Sequence, residues 1–68
     1  MSVFAEKNKK LRLDKNLSTR MLAEELGVSF SMISKYENDV NEPTLSILRA
    51  YAKYFNITLD YLCDDSVE

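Results

Sequence analysis

The sequence predicts an all-α domain, a compact five-helix bundle, and three observations predict it. Apolar residues recur three and four positions apart along most of the chain, and no segment reads as a strand. Four of the periodic segments are preceded by a hydroxyl residue, Ser18, Ser29, Thr44 or Thr58, where an N-cap belongs. The single glycine and the single proline, Gly27 and Pro43, fall between segments.

Residues 2–14 contain no glycine or proline and set Val3, Phe4, Leu11 and Leu13 among lysines, so a first helix is expected to end near Lys15 and Asn16. Ser18 caps a second, TRMLAEEL, in which Leu22, Ala23 and Leu26 form an inward stripe. Gly27 stops it, because glycine takes the left-handed conformation without a side-chain penalty. Ser29 caps a third helix from Phe30 to about Asn38. At about 100° per residue, Met32, Ile33 and Tyr36 point one way and Phe30, Ser31, Ser34, Lys35 and Asn38 the other. The first set belongs to the core and the second to solvent or a ligand.

NDVNEPT is a loop, ended by Pro43, and Thr44 caps a fourth helix whose buried side is Leu45, Leu48, Ala52 and Phe55. Asn56 closes it. ITLDYLC is a short fifth helix with Thr58 as cap and Ile57, Leu59 and Leu62 packing. The expected interior is Leu11, Leu22, Ala23, Leu26, Val28, Ile33, Tyr36, Leu45, Leu48, Ala52, Phe55, Ile57 and Leu62. One domain spans residues 1–68, its core at about 3–62 and a frayed tail at 63–68.

Composition excludes several classes of function. A chain of 68 residues has room for one domain and buries only ~60% of the surface its unfolded form exposes. It has no histidine and one cysteine, Cys63, which leaves no internal disulfide, no metal-ligand cluster and a reducing compartment as the expectation. No apolar run approaches the ~20 residues of a membrane span, and MSVFAEKNKK reverses the charge order of a signal peptide. A cytoplasmic location is expected. Without histidine there is no Ser–His or Cys–His pair, and one glycine makes no phosphate-cradling loop. An enzyme is not expected, nor a cofactor, nor a small-molecule ligand.

The net charge of −2 hides a polar molecule. Residues 1–36 carry seven basic and four acidic side chains, residues 37–68 two and seven. Binding responds to the field at one face, so an acidic total does not exclude a nucleic-acid partner. Two helices joined by a tight glycine turn form a helix-turn-helix, whose second helix can lie in the DNA major groove.

The stretch NLSTRMLAEELGVSFSMISKYEN, followed by NEPTLSILRAYAKYFNITLDYL, resembles the phage-repressor and Cro-like helix-turn-helix family of transcriptional regulators, the lambda-repressor-like DNA-binding domains. The landmarks are Leu17-Ser18, Leu22-Ala23, Leu26 to Ser29, Ile33-Ser34 and Glu37-Asn38, and the likeness runs from about Lys7 to Leu62. It implies a sequence-specific regulator of double-stranded DNA, a repressor of prophage, plasmid or mobile-element type. It also implies an internal ion pair between Arg12 and Glu37. Three departures concern affinity. Thr19 stands where relatives carry Gln, Asp39-Val40-Asn41-Glu42 stands where they place Gly and basic residues, and Asn8 stands at an apolar position.

By resemblance and geometry the base-reading side chains are Ser29, Phe30, Ser31, Ser34 and Lys35. Lys35 suits guanine O6/N7, Phe30 a thymine methyl, and the serines either role. Phosphate contacts fall to Thr19, Arg20, Asn38 and Asn41, with Lys9 and Lys10 weaker candidates and Lys7 on a solvated face. Because one module buries a small interface, a homodimer is expected through the acidic half, with Tyr51, Tyr54, Tyr61 and the fifth helix available; the alternative for the tyrosines is that they finish the core. The alternative is a protein-interaction module, antitoxin-like or regulator-binding, in which exposed Phe30 and the acidic loop meet a protein.

Overall fold

Side-chain caps and left-handed turns divide the chain into its elements. In a computed structural model that describes residues 3–63, the helices are α1 (Val3–Asp14), α2 (Thr19–Leu26), α3 (Phe30–Glu37), α4 (Leu45–Phe55) and α5 (Leu59–Cys63), with no strand among the described residues. Ser2, expected in the first helix, and the expected tail beyond Cys63 lie outside them.

Each expected cap is made. Ser18 Oγ accepts from the Met21 N–H at 3.1 Å, Ser29 Oγ from Met32 at 3.4 Å, Thr44 Oγ1 from Ile47 at 3.3 Å and Thr58 Oγ1 from Tyr61 at 3.0 Å. Each bond satisfies one of the donors that a helix start leaves open. At the other ends the chain turns left-handed, at Asn16 (φ 57°), Gly27 (φ 73°), Asp39 (φ 59°) and Asn56 (φ 56°). A Cβ at Gly27 would meet nothing within 4 Å, so the backbone angle alone asks for glycine there. Helix α3 ends at Glu37, with Asn38 as its C-cap rather than its last residue.

The buried cluster is Phe4, Leu22, Ala23, Ile33, Tyr36, Tyr51, Phe55 and Leu62, with Leu11, Leu26, Val28, Leu48, Ala52 and Ile57 among the residues packed on it. An aromatic chain runs through it. Phe4 meets Tyr36 and Tyr51 edge-on at 5.9 and 5.2 Å, and Tyr51 stacks on Phe55 at 6.1 Å. Helix α1 thereby reaches across to α3 and α4. Helix α3 also packs on α2, and α5 closes the bundle against α1 and α4.

Three sequence expectations are corrected. Leu45 is 55% exposed, not core. It is the first residue of α4, and helical side chains lean toward the N-terminus, so Leu45 leans off the open end of its helix. Tyr51 is fully buried and not available to a dimer interface. Lys7 is not simply solvated, since its Nζ donates to the Tyr61 carbonyl at 2.6 Å and lies 4.3 Å from the Tyr61 ring centroid, pinning α1 to α5.

Asn8, the polar residue at an apolar position, is fully buried, and neither its amide nitrogen nor its oxygen has a hydrogen-bond partner. The Tyr51 hydroxyl is also unpartnered. Burial pushes the Tyr51 phenol well above its ordinary pKa, and the nearby Asn8 amide offsets this only in part, without a hydrogen bond of good geometry.

Candidate nucleic-acid interface

The candidate interface is built by α2, the Gly27 turn and α3. Val28 donates its N–H to the Ala23 carbonyl at 3.0 Å, which closes the end of α2 and sets the direction in which α3 departs. Ile33 and Tyr36 anchor α3 from beneath. The opposite side is left in solvent. Ser29, Phe30, Ser31, Lys35 and Asn38 are exposed and Ser34 half-buried, so the expected reading residues share one surface.

Their hydrogen bonding differs. Ser29 Oγ is engaged as a cap and lies 3.2 Å from Ser31 Oγ, where either hydroxyl can donate. Asn38 Nδ2 donates to the Ser34 carbonyl at 2.9 Å, which spends one of its two amide hydrogens on closing α3. Lys35 and Phe30 lie on the exposed surface, Phe30 at 44%.

The expected phosphate set is split. Thr19 and Arg20 open α2, whereas Asn41 lies in the loop after α3 and is exposed, between Val40 (66% exposed) and Glu42. The Val40 N–H donates to the Lys35 carbonyl at 2.8 Å, which folds this acidic loop back on the end of α3. Lys9 and Lys10 are exposed on α1.

Arg12 and Glu37 meet. Arg12 Nε donates to Glu37 Oε2 at 2.6 Å and Nη2 to Oε1 at 3.0 Å, and Nη1 donates to the Leu17 carbonyl at 2.7 Å. Their side chains are only 12% and 7% exposed. The fork-to-fork geometry is the strongest form of this pairing. The hydrogen bond to Glu37 raises the Arg12 pKa above its ordinary value, against an opposing effect of burial. The pair ties the last turn of α1 and the α1–α2 turn to the end of α3.

One contact escaped the sequence reading. The Arg20 guanidinium carbon lies 4.0 Å from the centroid of the Phe30 ring. The two side chains sit on different helices on either side of the glycine turn, so no periodic spacing pairs them; proximity to that turn is the one available signal. A second cation–π contact puts Lys15 Nζ 4.9 Å from the Tyr54 ring centroid.

A helix-turn-helix family profile matches residues 9–62, which takes in all of α2, the turn and α3. The chain belongs to the helix-turn-helix family, of the Cro/repressor-like type. The HTH-type transcriptional activator BcrR of Enterococcus faecalis is 42% identical over 59 residues, 87% of this chain and 29% of that protein. The chain thus spans under a third of this curated relative's length. In structure this helix-turn-helix domain is similar to a transcriptional regulator from Listeria innocua, with TM-score 0.83 and 28% identity over 88% of this chain and 56% of that one. The SOS-response transcriptional repressor LexA from Eubacterium rectale shares the fold, with TM-score 0.88 and 24% identity over 93% of this chain and 67% of that chain. Among the described residues no group of three His, Cys, Asp or Glu could hold a metal, and no helix is long and apolar enough to cross a membrane. The family carries the further conclusion that the chain is not an enzyme.

Proposed function

We propose that this domain is the sequence-specific double-stranded-DNA-binding part of a transcriptional regulator, with α3 in the major groove. One observation carries the reading: α3 is clamped from beneath by Ile33, Tyr36 and the Arg12–Glu37 pair, while on its outer face Phe30, Ser31 and Lys35 are left to solvent and Ser34 is half-buried. A helix held so firmly that buries so little of its front is suited to insertion in a groove. Phe30 packs on a thymine methyl, Ser29, Ser31 and Ser34 act at neighbouring base edges, and Lys35 donates to guanine or a phosphate. Thr19, Arg20, Asn38 and Asn41 contact phosphates, and Arg12 and Glu37 orient α3 without touching DNA.

The finer reading is a cytoplasmic repressor of prophage, plasmid or mobile-element type, acting as a homodimer through α4 and α5 without Tyr51. The relative is named an activator and one structural neighbour a repressor, so the sign of regulation is tested directly with a reporter. Selecting duplexes from a random pool, then titrating the selected site at several salt concentrations, tests DNA binding. Affinity should fall steeply with salt, by a log–log slope of about −0.9 for each phosphate engaged. No binding at low salt to any member of the pool would sink the proposal.

A second reading, a protein-interaction module, is favoured by exposed Phe30 and Val40 beside the carboxylate of Glu42. Under it, Phe30→Ala abolishes a co-purifying protein complex and leaves DNA binding alone.

A further inference from the structure

We infer that Phe30 is a positioning residue for Arg20, and that the two form one clamp on the DNA backbone across the glycine turn. The inference rests on the DNA-binding reading above and deepens it. At 4.0 Å from the ring centroid, the guanidinium sits well within the ~6 Å over which a cation is drawn to an aromatic face. Arg20 is the second residue of α2 and Phe30 the first of α3, so the contact joins the N-terminal ends of both helices. Backbone N–H groups left open at such ends favour an anion, and the stacked pair brings a guanidinium to the same place.

Two features suit this arginine to a phosphate. Among the described residues no hydrogen bond and no ion pair engages its guanidinium, whereas Arg12 makes three hydrogen bonds to Glu37 and the Leu17 carbonyl. The donors of Arg20 therefore remain open, in the planar fork that fits two phosphate oxygens. Stacking also restricts a long side chain before any ligand arrives, which lowers the entropy lost when it closes on phosphate. Phe30 brings no charge and no donor of its own. Its sequence-independent contribution passes through Arg20, while the ring surface not covered by the guanidinium stays available to a thymine methyl.

The test is a double-mutant cycle on a random-sequence duplex at one fixed low salt concentration, repeated as a salt series. Both side chains are exposed, so Phe30→Leu, Arg20→Ala and the double variant should keep the helical spectrum and melting temperature of the wild type. With Arg20 present, Phe30→Leu is expected to weaken binding about 2- to 10-fold, the entropy of fixing one long side chain on binding. In the Arg20→Ala background it is expected to change nothing. Phe30→Tyr restores a ring and should keep the coupling. Arg20→Ala should make the salt slope shallower by about 1, and Phe30→Leu should move it the same way. Equal loss from Phe30→Leu with and without Arg20, or no coupling in Phe30→Tyr, overturns the clamp alone. Failure of the wild type to bind any duplex overturns the DNA reading and the clamp with it.

Discussion

Arg12 and Arg20 are the same side chain in opposite situations. Arg12 lies at the α1–α3 junction, nearly out of solvent, with Glu37 on one side of its fork and the Leu17 carbonyl on another. Arg20 lies at the front of the molecule, stacked on Phe30 with its donors open. The back of α3 is fixed by groups that satisfy one another, whereas Arg20 at the front is stacked on Phe30 without having its donors satisfied. Complementarity toward a partner is therefore confined to the front, and loss of the back costs the fold.

The largest effect expected from breaking this contrast is at Arg12. Arg12→Ala leaves the Glu37 carboxylate nearly buried and unpaired, and should cost ~3–5 kcal/mol, read as a fall in melting temperature of about 4–8 °C per kcal/mol. Arg20→Ala should leave the melting temperature where it is. Equal destabilisation by the two would erase the distinction.

Asn8 sharpens the comparison from within the core. Both polar atoms of its amide are buried without partners, unlike those of Arg12 and Glu37. Replacing an unsatisfied group by an apolar one of similar shape removes its desolvation penalty, so Asn8→Leu should raise stability by ~1–3 kcal/mol. A loss of stability in chemical unfolding would show that the amide has a structural partner.

Tyr51 supplies a smaller, pH-dependent effect. Its folded pKa lies above the unfolded value, so the neutral phenol's contribution is complete below about pH 10 and is lost as pH rises beyond that point. Tyr51→Phe removes a buried hydroxyl without a partner, so it should equal or exceed the wild type in stability near neutrality and lose less stability above pH ~10. Parallel melting curves from pH 8 to pH 11 would remove Tyr51 from the alkaline response.

The smallest change concerns the loop that follows α3. Glu42→Lys combined with Asp39→Asn, which tolerates the left-handed backbone there, should tighten binding to all duplexes alike and steepen the salt slope by about 0.9 for each phosphate gained. Unmoved affinity would place the loop away from the DNA.

Much of the fold was legible because it is written locally. Ser18, Ser29, Thr44 and Thr58 announce helix starts, Gly27 announces a turn, and the spacing of Leu22, Ala23, Ile33 and Tyr36 announces which side is buried. Phe4 escaped, and Tyr51 was left between core and interface, because the two meet from helices far apart in the chain. Leu45 misled because periodicity names a face and says nothing of where the bundle ends. At the candidate site, the exposed positions on α3 followed from the same period, and the Arg12–Glu37 pair from family resemblance. The Arg20–Phe30 contact followed from neither, since it depends on how a long flexible side chain crosses a turn.

The central claim is that the front of α2–turn–α3 meets DNA while the back of α3 only holds it. Amide chemical shifts recorded as a selected duplex is added to the labelled protein test it most directly. The account predicts that the amides of Thr19, Arg20, Ser29, Phe30, Ser31, Ser34 and Lys35 move together and saturate at one equivalent of half-site, while those of α5 do so weakly or not at all. Shifts concentrated on α4 and α5, with the amides from Ser29 to Lys35 unmoved, would contradict it.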